Sequence, residues 1–477
     1  MKESQPSQMK HELGLLDGTM LVAGSMIGSG IFIVSADITR NVGSAGWLIA
    51  VWLITGFMTL TAALSYGELS GMFPKAGGQY VYLKEAYNKL IGFLYGWSFF
   101  AVIQTGTIAA VGVAFSKFAA YIIHPLSEDN ILLNLGFIKI SAAQIVSIVV
   151  IVLLTAINTR GVKSGKIIQT VFTLTKLLSL FGLIIFGFVA LNSDTWHLNW
   201  SNAWTLHKLN TDGSFVEYTT VAALGAIAAS MVGSIFSSDS WNSVTFIAGE
   251  MKNPKRDVAL SLFFGTMIVT LIYVSANVMY TAVLPMHDIA TADRDRVAVA
   301  ASHVIFGHAG TIVIALMIMV STFGCNNGLI FAGARVYYTM AKDGLFFKKT
   351  GTLNKFAVPE FGLWIQALVA SILCLSGKYG DLLDMISFVV VVFYVLTIIG
   401  IYKLRITRPD VERPYKAFGY PVLPAIYILM GIAFCILLLI YKQTYTLFGL
   451  GIVLIGIPIY FIAQRNSSHE DQSLTDN

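Results

Sequence analysis

Charge is what this sequence has least of. Only 12% of its 477 residues are Asp, Glu, Lys or Arg, while 56% are hydrophobic. A soluble domain carries about 25% charged residues, so this composition excludes a water-covered surface over most of the chain and implies a membrane protein. Cysteine is scarce too. Cys325, Cys374 and Cys435 stand far apart in apolar stretches, with neither metal-site spacing nor the framework of a disulfide-stapled domain. The eight histidines fall mostly in loops and form no ligand pair on a helix face, so no metal and no other cofactor is expected. A net charge of +5 is a weak guide to partners, and no nucleic-acid partner is expected. The opening residues are polar, lack an apolar core leading to a cleavage site, and read as a tail rather than a signal peptide.

What the chain has in quantity is apolar runs. A spanning helix needs roughly 20 apolar residues to cross about 30 Å of hydrocarbon. Twelve segments qualify: residues 16–38, 47–73, 91–122, 142–158, 167–191, 219–247, 258–283, 310–340, 361–375, 382–404, 425–441 and 447–463, the ninth being short. Lys and Arg set the orientation. Assigning alternate loops to one side places 21 of the 31 basic residues on the side of both termini and seven on the other, with Lys117, Lys176 and Arg335 inside spans. That threefold excess predicts cytosolic termini. The opposite face carries loop 192–218, where Trp196, Trp200 and Trp204 suit headgroup anchors. Nothing between spans is long enough for a soluble domain, so function is expected within or beside the bilayer, with lipid as the surrounding partner.

Two spans are interrupted. The first holds Gly24, Ser25, Gly28, Ser29 and Gly30 within seven residues. Each glycine weakens a helix interior by about 1 kcal/mol relative to alanine, and freed backbone in hydrocarbon is tolerated only inside protein or beside a cavity. The sixth reads GSIFSSDSWN from Gly233 to Asn242, half of it Ser or Asp, which compete with helix for local hydrogen bonds. Gly24-x-x-x-Gly28 alone is equally a small-residue packing face, but the sixth span has no such glycine face. Four spans lie between the two, so they enter from opposite sides. Two five-helix units of inverted topology, each opening on an interrupted helix, place a substrate near the midplane. The predicted fold is an all-α membrane protein of twelve helices in a five-plus-five inverted repeat, with two further C-terminal helices. The divisions are a tail (1–15), a first repeat (16–191), an extracellular loop (192–218), a second repeat (219–404), two last helices (405–463) and a C-terminal tail (464–477). Such breaks suit a zwitterion: resumed helix N–H groups attract a carboxylate, and unwound carbonyls attract an ammonium.

The motifs in these segments are familiar. IGSGIF at 27–32, GELSGMFPKAGGQYVY at 67–82 with GFLYGW at 92–97, FSSDSWNSVTFIAGEMKNP at 236–254 and FGCNNGLIFAGARVYYTMAKDG at 323–344 resemble the amino acid–polyamine–organocation superfamily, and within it the L-type amino-acid transporters. The resemblance implies a sodium-independent transporter of amino acids, an exchanger or a proton-coupled carrier in the plasma membrane. It implies that amides around Gly28, Ser29 and Gly30 bind the substrate carboxylate and that carbonyls of Met26, Phe236 and Asp239 take its amine. Phe236 would gate the site, with Ser237 and Asn242 supporting the broken helix. Asp239 stands where many relatives have glycine, which favours a cationic or polyamine substrate as an alternative to a neutral one. Residues 122–140 contain no cysteine; animal members use one there to join a glycoprotein heavy chain, so that partner is not expected.

Lys176 lies ten positions after Lys166, about 15 Å along a helix, near mid-bilayer, where a lysine is costly and faces the bundle interior. In the family its amine stands where sodium-coupled relatives hold sodium. Lys117 and Arg335 are nearer span ends and are expected to snorkel. Asp239 reads either as a substrate-facing anion or as the N-cap of a helix resuming near Ser240. Glu68 and Asp37 are expected to be solvated or structural, and Asn326 and Asn327 to bond between helices. A membrane-embedded transferase would need acids, bases or nucleophiles converging at one membrane face; those here are few and scattered, and the chain is not expected to be an enzyme.

Overall fold

The computed structural model describes residues 11–134, 139–210, 212–376 and 379–475. Residues 1–10 of the predicted N-terminal tail and 476–477 of the C-terminal one lie outside the described residues. All twelve predicted segments are helical. Among the described residues, eight helices are long and apolar enough to cross a membrane, and the bent pair Leu15–Met26 and Gly30–Val42 makes a ninth. The other three predicted spans are the shorter apolar helices Ala142–Asn158, Ala222–Ser237 and Glu360–Leu375. The chain is a multi-pass membrane protein. Two small two-stranded hairpins, Ile131–Asn134 with Lys139–Ser141 and His207–Leu209 with Phe215–Glu217, lie in the loops between spans.

Local sequence explains most boundaries. Asn88 caps the third span through its side chain, and Ser141 with Gln144 forms a capping box on the fourth. Pro254 occupies the first turn of the seventh, Pro254–Val283, where its missing N–H costs nothing. The eighth begins earlier than its apolar run predicts: the helix runs Val297–Lys342, with Gly307 at φ +68 marking a kink. Residues 297–306 precede that kink and form a helical stretch set off from the span.

Spans 1, 2, 6 and 7 pack on one another, with the seventh along the second; spans 3, 4, 8 and 9 form another group. The fifth helix, Val162–Val189, packs against spans 1, 7 and 8. Its exposed side chains, Leu174, Leu178, Phe181, Ile185 and Val189, recur every three or four residues, the stripe of a helix facing lipid. Lys176 falls on the other side of the same helix and is 1% exposed.

The two ends of the bundle differ. At the end carrying the N-terminal segment, the Leu13 amide donates to the Glu250 carbonyl (3.1 Å) and the Lys252 amide to Leu13 (2.8 Å). Ion pairs Lys84–Asp343 (2.6 Å), Arg335–Glu250 (2.8 Å) and Arg405–Glu68 (2.6 Å) bind that end shut. At the other end a cavity of ≈710 Å³ opens among Ile33, Val34, Lys117, Val232, Gly233 and Arg294. Lys117 therefore lines this cavity. Trp204, beyond it, is 67% exposed and packs edge-on against Trp47.

Candidate functional site at two helix breaks

The first span stops at Met26 and restarts at Gly30, with the halves bent by 42°. Unwinding strips carbonyls of their helical partners, and in a dry interior each must be met by another donor. Side chains from three other spans do this. The Lys176 ammonium donates to the carbonyls of Gly24 (2.8 Å) and Ile27 (2.6 Å). The Cys325 thiol donates to Ser25 (3.0 Å) and the Tyr273 hydroxyl to Met26 (2.9 Å). Ser321 Oγ lies 3.3 Å from the carbonyls of both Ile27 and Gly28. Five consecutive carbonyls, 24 to 28, are thus held by the fifth, seventh and eighth spans.

The sixth span stops at Ser237 and resumes only as the short helix Ser243–Phe246. Between them Ser240 adopts a left-handed φ of +66, costly for a residue with a Cβ. The buried neighbours are aromatic: Trp241 packs 4.7 Å from the Tyr66 ring and 5.1 Å from Tyr394. Asn242 donates to Gln79 Oε1 (3.1 Å), and Gln79 in turn donates to Thr397 (3.0 Å). This ties the break to the loop after the second span and to the tenth helix.

The two breaks touch. A Cβ on Gly30 would overlap the Ser237 hydroxyl, and one on Gly28 would lie 3.0 Å from Cys325 Sγ. Glycine at 30 therefore serves close helix approach as well as leaving backbone exposed. Tyr273 Oη lies 2.9 Å from the carbonyls of both Met26 and Ser237. A hydroxyl has one proton to donate, so it can bond either break but only one at a time.

The predicted site residues gather here. Ser29 sits at the N-cap of the resumed first helix and Gly30 in its first turn, where leading N–H groups have no carbonyl four residues back in the helix; the Phe32 amide donates to Ser29 (3.0 Å). The Gly28 amide donates to Met26 (2.8 Å) and the Asp239 amide to Phe236 (3.2 Å). Phe236 is buried at the end of the first half of the sixth span. Beside Asp239 lies a small cavity of ≈10 Å³ lined by Gln79, Tyr95, Phe99, Ile103, Gln104 and Tyr394. Its third-span wall includes a π-helical turn, Phe99–Ile103, a distortion that recurs at functional sites.

Three expectations need correction. Asp239 is not a helix cap: the resumed helix starts three residues later than expected, with Asn242 at its N-cap, and the Asp239 carboxylate instead accepts from the Tyr394 hydroxyl (2.5 Å). Arg335 does not snorkel. It is 1% exposed and pairs with Glu250, because its helix continues to Lys342 and turns this face toward the stretch following the sixth break. Glu68 takes the structural of its two expected roles: it is fully buried and accepts from Arg405 Nε and Nη2 and from the Ala417 amide. Asn327 bonds across helices to Asn158 (2.9 Å), whereas neither amide atom of buried Asn326 has a hydrogen-bond partner.

Tyr273, Ser321, Cys325 and Tyr394 escaped sequence reasoning. One signal existed for the first. Thr266, Tyr273, Asn277 and Tyr280 are spaced 7, 4 and 3 along the seventh span, a polar stripe at helical period. Asn277 accepts from Ser35 (2.7 Å) and Tyr280 donates to Ile31 (3.3 Å), so with Tyr273 three of the four face the first span, while Thr266 bonds carbonyls of its own helix. The others carry no comparable pattern.

Comparison with known proteins adds an independent view. Residues 13–469 match the family described as amino acid permease. The chain is 29% identical to the human large neutral amino acids transporter small subunit 2 over 95% of this chain and 80% of that protein. It is 30% identical to the rabbit (Oryctolagus cuniculus) protein of the same name with the same coverage. To the human b(0,+)-type amino acid transporter 1 it is 28% identical, covering 97% of this chain and 89% of the relative.

Proposed function

We propose that this chain, which belongs to the amino acid permease family, carries neutral L-amino acids across the plasma membrane by alternating access. It is a transporter and not an enzyme. The observation that carries the reading is the first break, whose five freed carbonyls are held by side chains that can let go, rather than by a continuous helix. A carboxylate binds the amides of Gly28, Ser29 and Gly30, with the dipole of the resumed helix behind it. The ammonium takes carbonyls of Met26, Phe236 and Asp239. Without substrate the Met26 carbonyl accepts from Gly28 and Tyr273; when the Gly28 amide turns to the carboxylate, the lone pair it vacates is open to the ammonium.

Phe236 closes the site from the side of the large cavity, and Ser237 and Asn242 hold the broken helix. The repeats 16–191 and 219–404 supply the two groups that rock against each other, with both termini cytosolic. Lys176 supplies a fixed positive charge to carbonyls that a sodium ion would otherwise bridge, which makes movement sodium-independent, by exchange or with a proton. With no cysteine in 122–140, a heavy chain joined there by a disulfide has no attachment point. Liposomes containing the purified protein are expected to take up a radiolabelled neutral amino acid equally well in sodium and in choline buffers. Uptake that needs sodium would sink the role given to Lys176.

Asp239 supports a second reading, a cationic substrate or polyamine. A buried carboxylate beside the break, facing a wall of Gln79, Gln104, Tyr95 and Tyr394, attracts a side-chain cation or hydrogen-bond donor. Competition by unlabelled arginine or lysine against neutral uptake separates the readings. If the carboxylate reads the side chain, Asp239→Gly weakens cationic competitors by about tenfold or more, the worth of a charge-assisted bond, and spares leucine. Equal effects on both classes would make Asp239 structural.

A further inference from the structure

The tenth helix ends at Thr407 and the eleventh begins at Val422. Their apolar stretches are span-length, so the loop between them lies at the headgroup level of one leaflet. Within it a cavity of ≈410 Å³ is lined by Arg405, Pro409, Val411, Arg413 and Lys416. Every charged group in this lining is basic.

The two arginines are fixed in place. Glu68, buried behind them, accepts both Arg405 Nε (3.0 Å) and Nη2 (2.6 Å) and lies 3.3 Å from Arg413 Nε. Arg405 also stacks 3.6 Å from the centre of the Tyr420 ring. Arg413 is held further by the carbonyls of Leu404, Arg408, Pro409 and Val411. Against three positive charges stands this one buried carboxylate. Of the loop's exposed acids, Glu412 is occupied by Lys255 at 2.6 Å, and Asp410 is outside the lining. Lys416 is exposed and supplies a swinging ammonium with three donors.

The surroundings are apolar. Ile406 is 80% exposed, Phe418 67% and Val422 62%. Large apolar side chains this open, flanking a basic pocket at the ends of two spans, suit acyl chains beside a bound headgroup; a site for a soluble anion has no use for them. We propose that this pocket binds the phosphate of an anionic phospholipid, with Lys416 as its mobile donor and Arg405 and Arg413 as fixed charge. Because Glu68 lies near the end of the second span and Arg405 near the end of the tenth, the bound lipid sits on a contact between these two spans. The proposal stands independently of which amino acid is carried.

Native mass spectrometry of the full chain in detergent tests it, using phosphatidylglycerol and phosphatidylcholine of identical acyl chains. Phosphatidylglycerol adducts are expected to dominate, and Lys416→Glu to reduce them by about fivefold or more with an unchanged melting temperature. Lys349→Glu, an exposed lysine between the eighth and ninth spans, leaves adduct levels unaltered. Equal adducts of both lipids, equal adducts in Lys416→Glu, or displacement of the lipid by excess glycerol 1-phosphate would each overturn the assignment.

Discussion

Replacing Lys176 with methionine is expected to lower amino-acid uptake by about two orders of magnitude or more. The ammonium makes two short charge-assisted bonds to the broken first helix. Each such bond contributes about 1.5–3 kcal/mol. Methionine has similar length but no donor, so the carbonyl of Gly24 loses its bond to the fifth helix. Ile27 keeps only the longer contact from Ser321. Two outcomes follow from that geometry. The unwound segment loses its defined position, which removes the ordered amides at Gly28 to Gly30. The fifth helix also loses its tie to the first, so their relative movement is no longer coupled. Uptake into liposomes reads the rate, and a thermal melt of the same preparation reports whether the bundle still forms. A folded variant transporting at the wild-type rate would remove Lys176 from the mechanism.

Arg335→Met should produce the largest loss of stability. It leaves the Glu250 carboxylate, 1% exposed, without its cation, and breaking a buried pair by removing one partner costs about 3–5 kcal/mol. Arg335→Met combined with Glu250→Leu should recover most of that loss, since a buried ion pair replaced by apolar groups is often neutral or better. Apparent stability in detergent, measured for both singles and the double, checks this; a double variant as unstable as the single would contradict it. The pair is also imperfectly satisfied. Glu250 Oε2 and Arg335 Nη2 have no hydrogen-bond partner while this end is closed. Water entering on opening would supply those partners, so the desolvation cost is borne mainly by the closed state. The stable double variant is therefore expected to keep this end shut more of the time and to transport more slowly.

These residues show how far sequence reasoning reaches. Lys176 was legible because a lysine ten residues inside an apolar run has few destinations but the bundle interior. Its neighbour in the site, Tyr273, was half-legible through a polar stripe. Arg335 was misread for a definite reason: distance from a span end was taken from the apolar run, but the helix extends beyond it to Lys342. Asp239 was misread because the sixth break is longer than its composition implies, and a residue expected at the start of a helix lies inside the gap.

By itself the sequence determined the number and order of the spans and the place of both breaks. Those follow from local causes, apolar length and the weak helix-forming tendency of Gly, Ser and Asp, which act within a few residues. Only the tertiary structure decided what holds the breaks. Lys176 and Gly24 are 152 residues apart, Tyr273 and Met26 are 247 apart, and Cys325 and Ser25 are 300 apart. Hydropathy and periodicity identify a face but not its partner. That partner is selected when whole helices pack and each freed carbonyl must find a donor in a medium that offers no water.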